Sequence, residues 1–328
     1  MNILVVGGAG YIGSHNVHAL CERGDNVIVL DSLVTGHLEA VHHKAKFYLG
    51  DIRSRKDLDK VFTENKIDAV LHFAAFIEVG ESVGNPLKYF DNNSVGMVCL
   101  LEAMRDYGVD KLVFSSTAAV YGEPVRIPIC EDDPKDPTSP YGESKLIMER
   151  IMKWTGEAHG IRWVSLRYFN VGGALHGGQI GEDHKPESHL IPLILQVPRG
   201  MRPHSSIYGD DYPTPDGTCI RDYLYIMDLA DAHLKAVDYL AGGGETVICN
   251  LGNGQGFSVK EMIETARKVT GHPLPAVVTP RRPGDPARLV ASSERARQVL
   301  GWEPRAGIEE IVATAWEWHT KHPRGFSK

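Results

Sequence analysis

The 328-residue sequence has few cysteines and no long run of apolar residues. The five cysteines are odd in number, and the closest pair, Cys219 and Cys249, lies 30 positions apart. This spacing argues against a disulfide framework or a clustered zinc site and favours a reducing compartment. No stretch approaches the ~18 apolar residues of a membrane-spanning helix, and Met1–Leu4 has no basic leader. We therefore expect a soluble, cytoplasmic protein without a membrane partner.

Neither positive nor negative residues are concentrated in one stretch of the sequence. The net charge is −7, and basic residues cluster no more densely than pairs such as Arg281-Arg282, so we expect no nucleic-acid partner. The fifteen histidines include no H-E-x-x-H motif and no Cys/His cluster, so we expect no metal site.

Glycine, in contrast, is abundant. The 34 glycines make up about 10% of the chain, against about 7% in typical proteins. They have no three-residue period, and 42% of the residues are hydrophobic, so collagen and disorder are excluded. Such a surplus indicates backbone that turns sharply or approaches a ligand closely.

Short apolar, β-branched runs alternate with helical patterns along the first half of the chain. The predicted strands are Ile3–Val6, Val27–Leu30, Phe47–Leu49, Ala69–Phe73, Lys111–Ser115 and Trp163–Arg167. The predicted helices include Leu58–Asn65, Val95–Tyr107, Ser258–Thr270 and Ile308–His319. This rhythm predicts an α/β fold with a doubly wound parallel sheet covered on both faces.

A glycine-rich motif follows the first predicted strand directly. Gly7, Gly10 and Gly13 form G-x-x-G-x-x-G before a helix that Gly24 ends. Such glycines allow a tight turn and bring a pyrophosphate to the helix N-terminus. Asp31 ends the second strand, where a carboxylate binds ribose hydroxyls and repels a 2′-phosphate. The motif predicts a dinucleotide site that prefers NAD, although a glycine-rich turn with a capping acid gives the same pattern.

Residues 1–171 are therefore assigned to a Rossmann-type NAD-binding domain, to which residues 217–240 are added. Residues 172–216 and 241–328 are richer in loops, and we assign them to a smaller C-terminal lobe that binds substrate. Asp51-Ile52 and Phe73-Ala74-Ala75 follow predicted strands at the edge where open α/β sheets bind ligands. Packing explains each of these two groups equally well.

A catalytic constellation is predicted after the fifth strand. Tyr141 and Lys145 form Y-x-x-x-K, which places both side chains on one helix face. A nearby ammonium favours the phenolate, so we expect Lys145 to lower the pKa of Tyr141 and make it a general base. Hydroxyls of the Ser115–Thr117 segment lie at the same edge. Tyr107 and Lys111 have the same spacing but span a helix end, and we discard them.

These motifs resemble those of the extended short-chain dehydrogenase/reductases, and the resemblance covers essentially the whole chain. It includes four later segments, which are Arg167-Tyr168-Phe169-Asn170, Gly217–Tyr223, Asn250-Leu251-Gly252 and Arg281–Asp285. The later motifs resemble those of the nucleotide-sugar epimerases in that family. The resemblance implies NAD-dependent 4-epimerization of a UDP-hexose, UDP-glucose or UDP-galactose, through a 4-keto intermediate. It also implies a homodimer packed through the helix that carries Tyr141.

The resemblance assigns catalysis to Tyr141, Lys145 and Thr117. Together with the positions argued above, it gives as NAD-binding residues Gly7, Gly10, Tyr11, Ile12, Gly13, Asp31, Thr35, Asp51, Ile52, Phe73, Ala74, Ala75, Asn93, Ser115, Tyr141, Lys145 and Tyr168. It gives as substrate-binding residues Thr117, Asn170, His189, Leu190, Tyr208, Arg221, Arg282 and Asp285.

Five positions refine this expectation. Nucleotide-sugar 4,6-dehydratases resemble the chain but carry Asp-Glu where it has Ala118-Ala119, which disfavours dehydration. Ile77 stands where many relatives have lysine, and His189 where many have asparagine. Leu289 falls at the position that sizes the pocket around the sugar 2-substituent. Epimerization of a UDP-N-acetylhexosamine or another nucleotide sugar therefore stays open as an alternative. A non-catalytic NAD-binding sensor is a further alternative, but the presence of Thr117, Tyr141 and Lys145 argues against it.

Overall fold

A computed structural model describes residues 1–282 and 285–326. Pro283 and Gly284 of the Arg281–Asp285 motif thus lie outside the described residues. The strands are β1 Asn2–Val6, β2 Asn26–Asp31, β3 Lys46–Leu49, β4 Ala69–His72, β5 Lys111–Thr117, β6 Arg162–Tyr168, β7 Asn170–Gly172, β8 Ser205–Tyr208, β9 Ile220–Arg221, β10 Tyr223–Tyr225, β11 Val247–Leu251, β12 Phe257–Ser258, β13 Ala276–Thr279 and β14 Arg288–Leu289.

The helices are α1 Tyr11–Arg23, α2 Arg55–Glu64, α3 Val79–Gly84, α4 Pro86–Tyr89, α5 Gly96–Asp106, α6 Pro140–His159, α7 Leu190–Leu195, α8 Ile226–Ala241, α9 Val259–Thr270, α10 Glu294–Leu300 and α11 Ile308–Lys321. A π-helical turn, Phe90–Val95, precedes α5. Among the described residues, no helix combines the length and apolar character needed to cross a bilayer.

Seven strands form one parallel sheet in the order β11-β6-β5-β4-β1-β2-β3. The chain runs outward from β1 in one direction to β3 and then returns to β4 on the other side of β1. Ligands bind at such a reversal, outside the carboxyl ends of the strands. The doubly wound α/β fold is therefore confirmed, and the glycine-rich loop after β1 lies at the reversal.

Side-chain alternation along β1 explains why both faces of the sheet are covered. Ile3 and Val5 pack in one hydrophobic core, whereas Leu4 and Val6 pack in the other. Residues of α1 and α8 complete the first core, and residues of α2, α5 and α6 complete the second. All four β1 residues are 0–1% exposed, as a central strand between two helical layers requires.

The predicted boundary at residue 241 needs correction. Strand β11, Val247–Leu251, pairs in parallel with β6 as the seventh strand of the main sheet, although its sequence was assigned to the substrate lobe. Buried residues of α9, α10 and α11 also belong to the same hydrophobic core as those of α1 and α8. The lobe therefore packs as a continuation of one sheet face.

A buried ion pair joins helix α6 to the sheet. Arg167 of β6 is 1% exposed, and it donates two hydrogen bonds to Glu149 of α6, Nε–Oε1 at 2.9 Å and Nη2–Oε2 at 2.5 Å. Ser116 and Ser165 donate to Oε1 of Glu149 at 2.7 and 2.8 Å. Tyr121 accepts from Arg167 Nη1 at 2.9 Å. Every partner is buried, so the network fixes α6 against β5 and β6.

We expect Arg167→Met to destabilise the protein by about 3–5 kcal/mol, because Glu149 stays buried without its partner. The double variant Arg167→Met/Glu149→Met is expected to recover much of that loss. The control Lys268→Met breaks the exposed pair with Glu309 and should cost less than about 1 kcal/mol. Urea unfolding measures each change, and equal losses for Arg167→Met and Lys268→Met would contradict a structural role for the buried pair.

Candidate active site

The loop between β1 and α1 approaches neighbouring backbone too closely for larger residues. Gly7 has a φ of +85°, and a Cβ there would lie 2.5 Å from the backbone nitrogen of Ala74. A Cβ at Gly13 would lie 2.0 Å from the carbonyl oxygen of Gly7. Helix α1 begins after Gly10, and no described side chain caps it. Its first N–H groups are therefore available to an anion, which fits the pyrophosphate of a dinucleotide.

Asp31 ends β2 and holds this loop in place. Its Oδ2 accepts from the backbone nitrogen of Ala9 at 2.9 Å, and its Oδ1 accepts from that of Leu33 at 2.8 Å. Burial raises the pKa of Asp31, and these backbone donors oppose the rise. A carboxylate oxygen can accept more than one hydrogen bond, so both oxygens of Asp31 can also accept from ribose hydroxyls. Thr35 and Tyr11 line a small cavity nearby.

Asp51 and Ile52 follow β3 but differ in their surroundings. Asp51 is half-exposed, and the guanidinium of Arg53 lies 2.6 Å from its Oδ2. Hydrogen bonds from Arg53 lower the pKa of Asp51. Ile52 is buried, and a Cβ on Gly96 would lie 2.8 Å from its Cγ2. The side chain of Ile52 therefore packs against the start of α5.

Asn93 connects the segment after β4 to helix α6. Its Oδ1 accepts from Phe76 N at 2.9 Å, and its Nδ2 donates to Phe76 O at 3.1 Å and to Ser144 Oγ at 3.0 Å. It thereby fixes the chain that follows Phe73, Ala74 and Ala75 to the residue before Lys145. The ring of Phe73 lies 4.8 Å from that of His233.

Helix α6 places Tyr141 and Lys145 in its first two turns. Ser139 caps the helix by accepting from Gly142 N at 3.2 Å, and Pro140 occupies its first position. Lys145 is 3% exposed, and its Nζ donates to the carbonyl oxygen of Ser115 at 2.9 Å. The same ammonium lies 5.0 Å from the centre of the Phe114 ring.

The expected effect of Lys145 on Tyr141 is not found. Burial raises the pKa of Tyr141 to about 12, and hydrogen bonding with Thr117 opposes the rise only in part. Burial also lowers the pKa of Lys145 to about 7, although Glu149, one turn further along α6, opposes this change. The loss of water around both groups therefore outweighs the attraction that the spacing suggested.

Hydroxyl groups at the end of β5 surround this pair. Ser115 Oγ hydrogen-bonds to the hydroxyl of Tyr168, which lies on the neighbouring strand β6. Thr117 Oγ1 accepts from Ala119 N at 3.1 Å. Five of the predicted residues thus form one connected group at the carboxyl edge of the sheet. They are Ser115, Thr117, Tyr141, Lys145 and Tyr168.

The predicted substrate residues form a second group on the short strands. Arg221 on β9 forms an ion pair with Asp285. The guanidinium of Arg282 lies 3.9 Å from the centre of the Tyr208 ring. Asn170 is exposed at the start of β7, two residues after Tyr168. The two groups therefore meet where β6 leads into β7.

Asp222, the neighbour of Arg221, joins two backbone segments and was not singled out from the sequence. Its carboxylate accepts from the backbone nitrogens of Asn253 at 2.6 Å, Gly254 at 3.0 Å and Ala291 at 3.1 Å. Burial raises its pKa, which these three donors oppose. The available signal was its place beside Arg221 in the Gly217–Tyr223 motif.

His189 and Leu190 lie at the start of α7. Leu190 begins the helix and packs against the larger core. His189 precedes it, and its Nδ1 hydrogen-bonds to the buried carboxylate of Glu182. Burial opposes charge on both groups, yet their attraction outweighs it, raising the pKa of His189 and lowering that of Glu182. The sequence pattern E-x-H-x-x-E-x-H over residues 182–189 was the signal that a search for H-E-x-x-H did not detect.

Two positions at which the sequence differs from many relatives, Ile77 and Leu289, are also described by the structure. Ile77 is partly exposed in the segment after β4. Leu289 lies on β14 directly beside Arg221 in the parallel register, and it packs against the small cluster that contains Tyr121 and Phe169.

Burial of Lys145 predicts a pH-dependent stability. Between its folded pKa of about 7 and its ordinary value near 10.4, the unfolded chain binds more protons, so stability rises with pH. Relative to Lys145→Met, the wild-type protein should therefore gain free energy of unfolding from about pH 6 to about pH 9. Urea unfolding at both pH values measures this, with Lys153→Met on the exposed part of α6 as control. A pH-independent difference for Lys145→Met would contradict the buried ammonium.

Comparisons with known proteins agree with this geometry. The family model described as GDP-mannose 4,6 dehydratase matches residues 4–315. A UDP-glucose 4-epimerase from Lacticaseibacillus casei is 57% identical over 327 residues, 99% of each chain. A crystal structure of UDP-glucose 4-epimerase covers 100% of both chains with 52% identity and a TM-score of 0.99. The Bifidobacterium longum enzyme in complex with NAD+ and UDP is 40% identical, with a TM-score of 0.94 over 99% of this chain and 100% of that one.

The matched family model is named for a dehydratase, yet the two alanines after Thr117 offer no acid for eliminating water. The full-length relatives at 57% and 52% identity are epimerases. Within the family that the dehydratase model describes, this chain belongs to the UDP-glucose 4-epimerases.

Proposed function

We propose that the protein interconverts UDP-glucose and UDP-galactose by inverting carbon 4 through a 4-keto sugar, with NAD retained between turnovers. The observation that carries the proposal is the connected group of Thr117, Tyr141 and Lys145 at the same carboxyl edge of the sheet as the glycine-rich loop. A non-catalytic NAD sensor would need the loop alone.

NAD fits the residues around the loop after β1. The close approaches at Gly7 and Gly13 leave backbone N–H groups for the pyrophosphate, and Asp31 has acceptor capacity for the adenosine ribose. The absence of a side-chain cap on α1, within the described residues, keeps that anion site open. When bound, NAD supplies the hydride acceptor and donor and, in its oxidised form, a positive charge.

Tyr141 takes the proton from the sugar 4-hydroxyl, and Thr117 orients that hydroxyl. Because burial raises the pKa of Tyr141 to about 12, the phenol needs positive charge nearby to act near neutral pH. Lys145, held on the carbonyl oxygen of Ser115, contributes when protonated. The same Tyr141 returns the proton after the keto sugar has presented its other face.

Arg221 and Arg282 are assigned to the substrate diphosphate. Arg221 uses part of its five-donor fork on Asp285 and on Ile220 O, so other donors are left for phosphate oxygens. The guanidinium of Arg282 lies over the ring of Tyr208, which restricts where that side chain can go. Asn170 faces solvent beside both groups and is assigned to the sugar.

We also propose a cytoplasmic homodimer packed through α6. Trp154 on that helix is 68% exposed, which is unusual for so large an apolar side chain. The five cysteines are free in the structure, which suits a reducing compartment.

A second candidate substrate is a UDP-N-acetylhexosamine. Leu289 lies beside Arg221, and its side chain is smaller than the tyrosine that goes with glucose and galactose alone. Leucine leaves more room for a 2-acetamido group while still lining the pocket.

The first experiment incubates the protein with UDP-galactose and no added NAD and quantifies both epimers. We expect conversion by the wild type and a loss of at least about 100-fold in Tyr141→Phe with bound NAD unchanged, because the general base is missing. The control Tyr48→Phe removes a hydroxyl that donates to Glu64 on the far side of the sheet and should keep its turnover. Full activity in Tyr141→Phe would show that another base acts.

The second experiment compares UDP-galactose with UDP-N-acetylgalactosamine in Leu289→Tyr. We expect conversion of the N-acetylated substrate to fall by about tenfold or more relative to UDP-galactose, since one poorly fitting group costs about 1–3 kcal/mol. Leu289→Met keeps the side-chain volume and should leave the ratio unchanged. An equal loss on both substrates in Leu289→Tyr would remove Leu289 from the specificity pocket.

A further inference from the structure

Four potential metal ligands lie together between the glycine-rich loop and α7. They are Glu182, His184, Glu187 and His189, called here the Glu/His cluster. One ligand atom from each of these side chains lies within 4.8 Å of all the others. The proposed reaction uses none of them except His189, which is assigned to substrate. The cluster therefore needs an explanation of its own.

The contacts inside the cluster converge on one oxygen. Nδ1 of His189 hydrogen-bonds to Oε1 of Glu182, and Nδ1 of His184 lies 3.1 Å from the same oxygen. The His184 nitrogen is nevertheless buried without a hydrogen-bond partner among the described residues. Oε1 of Glu187 lies 3.9 Å from Nδ1 of His189. A buried imidazole nitrogen that lies 3.1 Å from a carboxylate oxygen without a hydrogen bond is an arrangement that a cation bound by both atoms would satisfy.

We propose that the Glu/His cluster binds one divalent transition-metal ion of the Zn²⁺ class. Two imidazole nitrogens and two carboxylate oxygens are ligands that zinc accepts in tetrahedral sites. Bonds of about 2.0–2.2 Å place tetrahedral ligand atoms about 3.4 Å apart. The widest separations in the cluster would therefore shrink by about 1.4 Å, and the contacts of Glu182 with the two histidines would lengthen. Calcium and magnesium favour all-oxygen ligands, and the two histidines disfavour them.

The position of the cluster indicates what the ion would stabilise. Trp318 of α11 donates from Nε1 to the carbonyl oxygen of Glu182 at 3.0 Å, and the His184 ring lies edge-on to Tyr11 at 6.3 Å. The cluster ends at His189, directly before α7. A bound ion would therefore tie the 182–189 segment between the cofactor loop and the substrate-binding start of α7. This role is one of positioning, and the ion takes no part in the proton transfers.

The competing explanation is an ion-pair network in which protonated histidines neutralise the two glutamates. Such a network would hold no metal beyond the weak binding of any surface histidine. Cobalt(II) distinguishes the two because it replaces zinc in tetrahedral sites and absorbs visible light there. The test uses tag-free full-length protein with its bound cofactor, dialysed against chelator and then titrated with Co²⁺ alone.

We expect one Co²⁺ per chain, with a tetrahedral absorption band that one equivalent of Zn²⁺ abolishes. His184→Ala and the isosteric Glu187→Gln should each weaken Co²⁺ binding by about tenfold or more, since even second-shell changes cost that much. The control His176→Ala removes a histidine whose Nε2 lies 2.9 Å from Glu310 on the surface, and its binding should match the wild type.

The proposal is overturned if the wild type binds no stoichiometric Co²⁺, or if both cluster variants bind it like His176→Ala. Circular dichroism of each variant checks that the fold is intact, and Glu187→Gln keeps the test decisive if His184→Ala fails to fold. Metal binding is read without substrate, so its outcome is separate from that of the epimerization assay.

Discussion

The buried pair of Arg167 and Glu149 is the interaction on which the arrangement of the active site depends. It crosses from β6 to α6, and hydroxyls of Ser116 and Ser165 donate to the same carboxylate. Helix α6 carries Tyr141 and Lys145 in its first two turns, just before Glu149, so the pair sets where these two side chains meet the carboxyl edge of the sheet. Two buried charges are costly to desolvate. In this fold the pair fixes the position of the helix that carries Tyr141 and Lys145.

The same burial decides the electrostatics of the site. Lys145 lies one turn before Glu149 and donates to a backbone carbonyl, so its ammonium has few partners and its pKa falls to about 7. Tyr141 loses water too, and its pKa rises to about 12. The protein alone therefore does not prepare a phenolate. In the proposed mechanism, oxidised NAD would supply positive charge when bound, and proton removal by Tyr141 would therefore depend on the cofactor.

Local features of the sequence were predicted well, and features that join distant segments were not. The glycine-rich loop, Asp31 at the end of β2 and Tyr141 with Lys145 each follow from spacing within one element. Strand β11 was assigned to the wrong lobe because a lone strand carries no sign of its partner, which is β6. Asp222 accepts from the backbone nitrogens of Asn253, Gly254 and Ala291, which only folding brings next to it. The Glu/His cluster, in contrast, is local in sequence and was missed because its spacing differs from H-E-x-x-H. The sequence predicted a lowered pKa for Tyr141 because Lys145 lies four residues away. That spacing does not reveal that both side chains are buried, and burial raises the pKa of Tyr141 instead.

The central claim is that carbon 4 is oxidised and reduced again within one closed site, with Tyr141 handling only the hydroxyl proton. UDP-galactose carrying deuterium at carbon 4 tests it directly, in ordinary water and without added NAD, by mass spectrometry of the UDP-glucose formed. We expect the product to keep its deuterium at carbon 4, because hydrogen leaves and returns as hydride inside the site. Exchange of that deuterium for solvent hydrogen would contradict it.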